Sequence, residues 1–293
     1  MLGRDATLQD NNGKVVRWLN LSNPSADATA LSEAGEPTNS TDFTLNNAQG
    51  TLAEFGGFSE FSKFLVKTAI SGTVEQLLKG LGYKGALSID TFILTDSTGL
   101  SGGSPPSIDF GAAFSADAVR QMTGKLWNAN QTTIASGGGR GMAQPHPKSP
   151  GGAFYILACS PEQAIDMLGE GAPTWSQAKN QLIEENLRTP FDGTPAGSAL
   201  YGAIVKITEN TQRDTTTSPD NDQAYMIGAD AFGTAFMPGT INNPVEVRVT
   251  MPDERVDLHL RNKGHAAYWF LFGTARIDNN RYVQGLSDAT GIG

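Results

Sequence analysis

A serine set among glycines is the first residue of this chain that could do chemistry. Gly99-Leu100-Ser101-Gly102-Gly103 has the spelling G-x-S-x-G, which in hydrolases puts a nucleophile on a sharp turn between a strand and a helix. Ser104-Pro105-Pro106 follows at once, and proline blocks an immediate helix. A hydrolase also needs a histidine base, and the chain has 3. His146 lies among prolines, His259 alternates with Leu258 and Leu260 as on the polar face of a strand, and His265 follows Gly264 in an expected turn. Ser101 is therefore read as a loop residue. Gly137-Gly138-Gly139-Arg140-Gly141 fits neither the Walker spacing nor the dinucleotide fingerprint, and Gly124-Lys125 lacks the upstream Gly and the following Ser/Thr. Asp220-Asn221-Asp222 lacks the glycine and distal glutamate of a calcium loop. The single cysteine, Cys159, ends the apolar run Phe154-Tyr155-Ile156-Leu157-Ala158. It is expected to be a buried core residue and can form neither an intrachain disulfide nor a cysteine zinc site. No catalytic residue, metal or cofactor is expected.

Charge narrows the classes further. The net charge is −9 and the pI about 4.8, whereas proteins that grip nucleic acid through phosphate contacts are basic, at least locally. Charged residues make up 17% of the chain, against roughly 25% in ordinary domains. Glycine is plentiful, at 34 residues. This composition suits a chain that buries much surface against neighbours, and equally a loop-rich monomer. The start, Met1-Leu2-Gly3-Arg4-Asp5, has no apolar signal region. No run of about 18 apolar residues occurs, so no membrane helix is expected. The length of 293 residues leaves room for two lobes.

The elements that would position these residues follow from pattern. Residues 14–22 read as a strand, with Val15, Val16, Trp18, Leu19 and Leu21. A polar stretch follows to Asp42, then a second extended run over 43–64 that carries Phe43, Phe55, Phe58, Phe61 and Phe64. The pair reads as a long hairpin arm with a polar tip. A structureless tip of this length is unusual in a compact monomer. A helix is expected over 73–96, opened by Thr73 with Gln76 three residues on, with Val74, Leu77, Leu78, Leu81, Ile89, Phe92 and Ile93 on one face. A Gly/Pro/Ser loop spans 97–113. A second helix starts after Ser115 with Val119, Met122 and Leu126 inward. The loop over 135–152 precedes an apolar strand over 153–159. Ser160-Pro161-Glu162-Gln163 then supplies an N-cap, a proline at the first helical position and a capping-box glutamine. Residues 175–188 read as helical, and 199–208 and 224–237 as strands separated by a polar loop. Val245, Val247 and Val249 alternate with polar residues, as do Val256, Leu258 and Leu260, and Tyr268-Trp269-Phe270-Leu271-Phe272 and Arg281-Tyr282-Val283 close the chain.

Three stretches carry a family resemblance. The first is Asp5-Ala6-Thr7-Leu8 through Lys14-Val15-Val16-Arg17-Trp18 and Leu31-Ser32-Glu33-Ala34-Gly35-Glu36-Pro37. The second is Glu54-Phe55-Gly56-Gly57-Phe58-Ser59-Glu60-Phe61 leading through Thr68-Ala69-Ile70 to the long helix. The third is Leu258-His259-Leu260-Arg261-Asn262-Lys263-Gly264-His265 with Trp269-Phe270-Leu271-Phe272-Gly273-Thr274-Ala275-Arg276. Together they resemble the Hong Kong 97-type major capsid proteins of tailed phages, and within these the coat proteins of N-four-like podoviruses. The resemblance implies an α+β fold with an extended β-hairpin loop, a spine helix with a β-region and an inserted α/β axial domain. It divides the chain into a short N-terminal arm (1–13), the extended loop (14–64), a peripheral domain with the spine helix (65–110), the axial domain (111–240) and closing peripheral strands (241–293). The family usually has more chain before its first strand, so either this arm is short or the start lies downstream in a longer precursor.

The function implied is a non-enzymatic shell subunit. Its partners would be other copies, in hexamers and pentamers, around double-stranded DNA that it encloses without reading sequence. Portal, scaffolding and cement proteins are the further partners such a shell can have, and no membrane is involved. The implied location is the virion, assembled in the bacterial cytoplasm. Trp18, Phe43 and Phe55 are the expected intersubunit anchors of the arm. Some shells of this fold crosslink through a loop lysine. No lysine stands between Lys14 and Lys63, so that crosslink is not expected. The main rival is an encapsulin-like compartment with protein cargo; a serine hydrolase and a tail or decoration protein are weaker ones.

Overall fold

The computed structural model describes residues 4–7, 13–21, 45–68, 73–128, 143–149, 154–169, 199–214, 221–237, 245–251 and 263–288. Phe43, His259, the expected helix over 175–188, the glycine run over 137–141 and the 256–260 alternation lie outside the described residues. In chain order the elements are β1 (Arg4–Thr7), β2 (Val15–Leu21), β3 (Leu45–Thr51), β4 (Ala53–Ser62), α1 (Lys63–Thr68), α2 (Thr73–Leu94), β5 (Ser107–Asp109), α3 (Ala116–Asn128), β6 (Tyr155–Cys159), α4 (Pro161–Gly169), β7 (Ala199–Leu200), β8 (Ala203–Ile207), β9 (Arg213–Asp214), β10 (Asn221–Ile227), β11 (Phe232–Met237), β12 (Glu246–Thr250), β13 (Lys263–Arg276) and β14 (Tyr282–Asp288).

The alternating sequence of β13 organises the first layer. Its even-numbered residues Tyr268, Phe270 and Phe272 are buried, while the odd-numbered ones between them stay half-exposed, as the two-residue period of a strand requires. One edge of β13 pairs antiparallel with β4, from Lys263 opposite Ser62 to Phe272 opposite Ala53. The other edge takes β12 and then β11, end to end. β1 adds to β11 in parallel. Helix α2 lies on the apolar face, burying Ile89, Ile93 and Leu94 against the β13 aromatics, with Phe92 4.3 Å from Phe55 and 6.0 Å from Phe272 between ring centroids.

The second layer is a seven-stranded sheet in the order β5-β14-β10-β6-β8-β7, with β9 on β10. Every residue of β6 is buried. Its run of apolar side chains without alternation is what a strand covered on both faces shows. Helix α3 covers one face with Val119, Met122 and Leu126, all at 0% exposure. Each such burial stabilises by about 1.5–3 kcal/mol. Its start is capped by Ser115, whose Oγ accepts from the Ala118 N–H at 3.1 Å. β10 ties the two layers together. Ala224 and Met226 face the α3 core, while Tyr225 and Ile227 face the α2 core.

The structure departs from the sequence reading in five places. Residues 199–208 form a two-strand hairpin, because Tyr201 and Gly202 both take positive φ (49° and 84°) and so make the tight turn that suits strand twist. Residues 224–237 hold two strands that belong to different sheets. His265 sits within β13, opposite Thr250 and Glu60, and not in a turn. The 14–64 unit divides: β2 and β3 form the arm, but β4 is an integral strand of the first sheet. Finally, β14 joins the second sheet through β10 and not the closing strands β12 and β13.

Candidate functional site

Among the described residues, the chemical candidates are engaged in hydrogen bonds or buried packing. Ser101 follows helix α2 with no strand before it, and its hydroxyl donates to the Thr95 carbonyl at 2.7 Å. It satisfies one of the carbonyls that a helix C-terminus leaves unpaired. The same turn is held from outside by Arg276, which donates to the Ser97 and Gly99 carbonyls at 2.6 and 2.7 Å, and by the Tyr282 hydroxyl on the Leu100 carbonyl. His146 is buried and its Nδ1 accepts from the Lys148 N–H. Cys159 is fully buried, and burial pushes its thiol up to about 12. Asp222 accepts from Ser160 Oγ at 3.0 Å. Burial raises its pKa above the ordinary value, the Ser160 bond opposes that shift, and Glu162 adds to it. Gln163 completes the knot: its Oε1 accepts from the Ser160 N–H, and its amide donates to the Asp222 carbonyl and to Ser287 Oγ. Among the described residues, no group of three or more His, Cys, Asp or Glu could hold a metal ion. No helix among them is long and apolar enough to cross a membrane.

What remains is surface, and the hairpin arm is its most distinctive part. β2 and β3 pair antiparallel from Val15 opposite Thr51 to Leu21 opposite Leu45, and neither strand pairs with any other among the described residues. A lone two-stranded ribbon is marginal in water. Val15 is 41% and Leu19 54% exposed. Trp18 is different. It is only 3% exposed, packed with Leu52, Ala235 and Ala275. Its indole N–H donates to the Arg4 carbonyl at 3.2 Å. Gly50 and Gly233 make room for the ring: a Cβ on either would stand 2.8 or 2.3 Å from an indole carbon. Trp18 thus roots the arm on its own chain, and its ring has little surface left for a neighbour.

Phe55 is half-buried in the first sheet, 4.3 Å from Phe92 and 5.5 Å from Phe270. It borders a cleft of about 600 Å³ between the arm base, the end of α2 and β13. Phe43 lies outside the described residues. On β4 and α1 the outward-facing aromatics are Phe58, at 71%, and Phe64, at 75%. The sequence carried part of that signal. On a strand, Phe55 and Phe61 share one face and Phe58 takes the other. Phe64 falls on α1, whose exposed side the spacing could not fix.

No protein-family model matches the chain, and no curated protein does. Solved structures do. The chain is similar to the capsid of Ralstonia phage GP4, with a TM-score of 0.67 at 12% identity over 100% of this chain and 88% of that one. It is likewise similar to the acid-stable capsid of Helicobacter pylori bacteriophage KHP30, at 0.66 and 11% over 97% and 88%. A third similar structure is the SrpI encapsulin of Synechococcus elongatus, at 0.58 and 9% over 99% and 87%. The chain therefore has the α+β fold of phage capsid structures, and the Hong Kong 97-like fold expected from the sequence is consistent with these neighbours.

Proposed function

We propose that this chain is the major capsid protein of a tailed phage, of the Hong Kong 97 type and related to the N-four-like podovirus coat proteins. It assembles into an icosahedral shell around double-stranded DNA. The carrying observation is the likeness to phage capsids over essentially the whole chain. An arm whose inner face packs on the first sheet through Val16, Trp18 and Ala48, while Val15 and Leu19 stay exposed on it, agrees with it. Such a ribbon gains stability when its outer apolar residues lie on another copy. Contacts that are weak singly become strong over a closed lattice. The acidic chain lines a container without gripping the polymer inside it. Portal, scaffolding and cement proteins would complete the particle, and assembly would take place in the host cytoplasm. Of the three anchors expected from the sequence, Trp18 holds the arm's root, while Phe55 borders the cleft on which a neighbour would rest.

The test is negative-stain electron microscopy of the purified protein, followed by analysis of particle contents. Closed shells are expected, with nuclease-protected DNA in particles recovered from infected cells. A compact monomer that forms no particles in any condition overturns the reading. The encapsulin likeness supports one rival, a protein compartment. Shells that hold a protein cargo and no DNA would favour it.

A further inference from the structure

Two patches of the surface are complementary and cannot meet within one chain. The first is helix α1. All its apolar residues are at the surface: Phe64 is 75%, Leu65 41% and Val66 37% exposed, and none of the helix is buried. Lys67 stands exposed on the same helix. The second is the cleft at the other end of β4, floored by Phe55, Phe92 and Phe272 and rimmed by Asp96, Ser97 and Arg276. Its volume of about 600 Å³ is ample for an aromatic side chain. Arg276 is engaged with the Ser97 and Gly99 carbonyls. Asp96 is the rim's carboxylate, fixed by the Thr98 N–H and hydroxyl, both at 2.8 Å. The first patch therefore joins an aromatic knob to a cation, and the second joins an aromatic floor to a rim with the Arg276 guanidinium on one side and the Asp96 carboxylate, open to a cation, on the other.

β4 separates them. From Phe55 to the end of the strand at Ser62, a rise of about 3.3 Å per residue puts α1 about 25 Å from its own cleft. Only another molecule can bring the two together. A knob and a hole at opposite ends of one strand make a head-to-tail contact, which closes rings when its rotation permits and extends otherwise.

We propose that Phe64 of one copy seats in the Phe55–Phe92–Phe272 cleft of a second copy of this chain, with Lys67 beside Asp96. The proposal rests on the shell reading above and adds a specific contact to it. Two variants test it: Thr68→Cys, on exposed α1, and Ser97→Cys, on the exposed cleft rim. Both leave Phe64, Lys67 and Asp96 in place, and the native Cys159 is buried and stays silent. Co-assembled and oxidised with diamide, the mixture should give a disulfide-linked dimer on denaturing gels. Either variant alone should give none. Particles that form normally and never yield the mixed dimer overturn this contact and leave the shell reading standing. If the wild-type chain forms no particles, the shell reading fails by itself, and the same gel on its small oligomers still decides the contact. As a second readout, Phe64→Ser should keep the monomer's circular dichroism and melting temperature and cut particle yield at least tenfold. An unchanged yield overturns the proposal.

Discussion

The arm and the second sheet are built on opposite terms. In the second sheet, β6 is buried at all five positions and α3 seals it with Val119, Met122 and Leu126. Polar groups inside it answer one another, as Ser160, Gln163, Asp222 and Ser287 do. The arm has Trp18 as its buried anchor, with Val16 and Ala48 packed beside it, and its two strands hydrogen-bond in a ladder only with each other among the described residues. The contrast teaches that stability in this molecule is concentrated at the root and in the lobes. The arm's own energy is small, so where it lies is set by what it touches.

Substitutions can sharpen or break that contrast. The largest effect is expected at the root. Trp18→Ala removes a buried indole and should cost about 3–5 kcal/mol of stability, read as a shift of the urea midpoint. If the midpoint moves by less than a fifth of that, the root is not where the arm is held. A middle-sized effect is expected at Asp222. Its folded pKa is raised, chiefly by burial, so the fold favours the protonated carboxyl. The sign follows: the stability it contributes is fully present below the ordinary carboxylate range and is lost as pH rises through the raised folded value. Wild-type protein should therefore gain stability on acidification through that window relative to Asp222→Asn. Parallel midpoint-against-pH curves would refute the role. The smallest effect on the monomer is expected on the arm. Leu19→Ser, at a 54% exposed position, should change stability by no more than about 0.5 kcal/mol yet lower particle yield. A clear loss of monomer stability would mean that Leu19, too, is supported by its own chain.

Local signals made much of the fold legible. Ser160, Pro161 and Gln163 announced the start of α4, and the structure realises both reciprocal bonds of the capping box at 3.0 and 3.1 Å. The periods in α2 and α3 fixed their buried faces. What escaped was decided at long range. β1 is only Arg-Asp-Ala-Thr, with no apolar pattern. It is a strand because β11 offers an edge and Asp5 accepts from Thr234 and pairs with Lys148. The turn at Tyr201-Gly202 lacks the Asn-Gly or Asp-Gly spelling that signals a hairpin. Which sheet β14 joins depends on β10, some sixty residues earlier, and no local pattern encodes it. At the candidate surface, residue type singled out the aromatics but carried no sign of which are buried and which are exposed. Trp18 lies in a slot that Gly50 and Gly233, distant in sequence, open for it.

The junction between arm and lobe has a mechanical side. A single buried residue, Leu52, separates β3 from β4, and its N–H is tied back to the Lys14 carbonyl at 2.8 Å. No slack loop lies between the ribbon and the ladder that β4 shares with β13. A tug on the arm from outside is therefore delivered straight into the longest strand pairing among the described residues, like a strap riveted to a beam. If copies hold one another by their arms, internal pressure would load these beams before it could stretch any hinge.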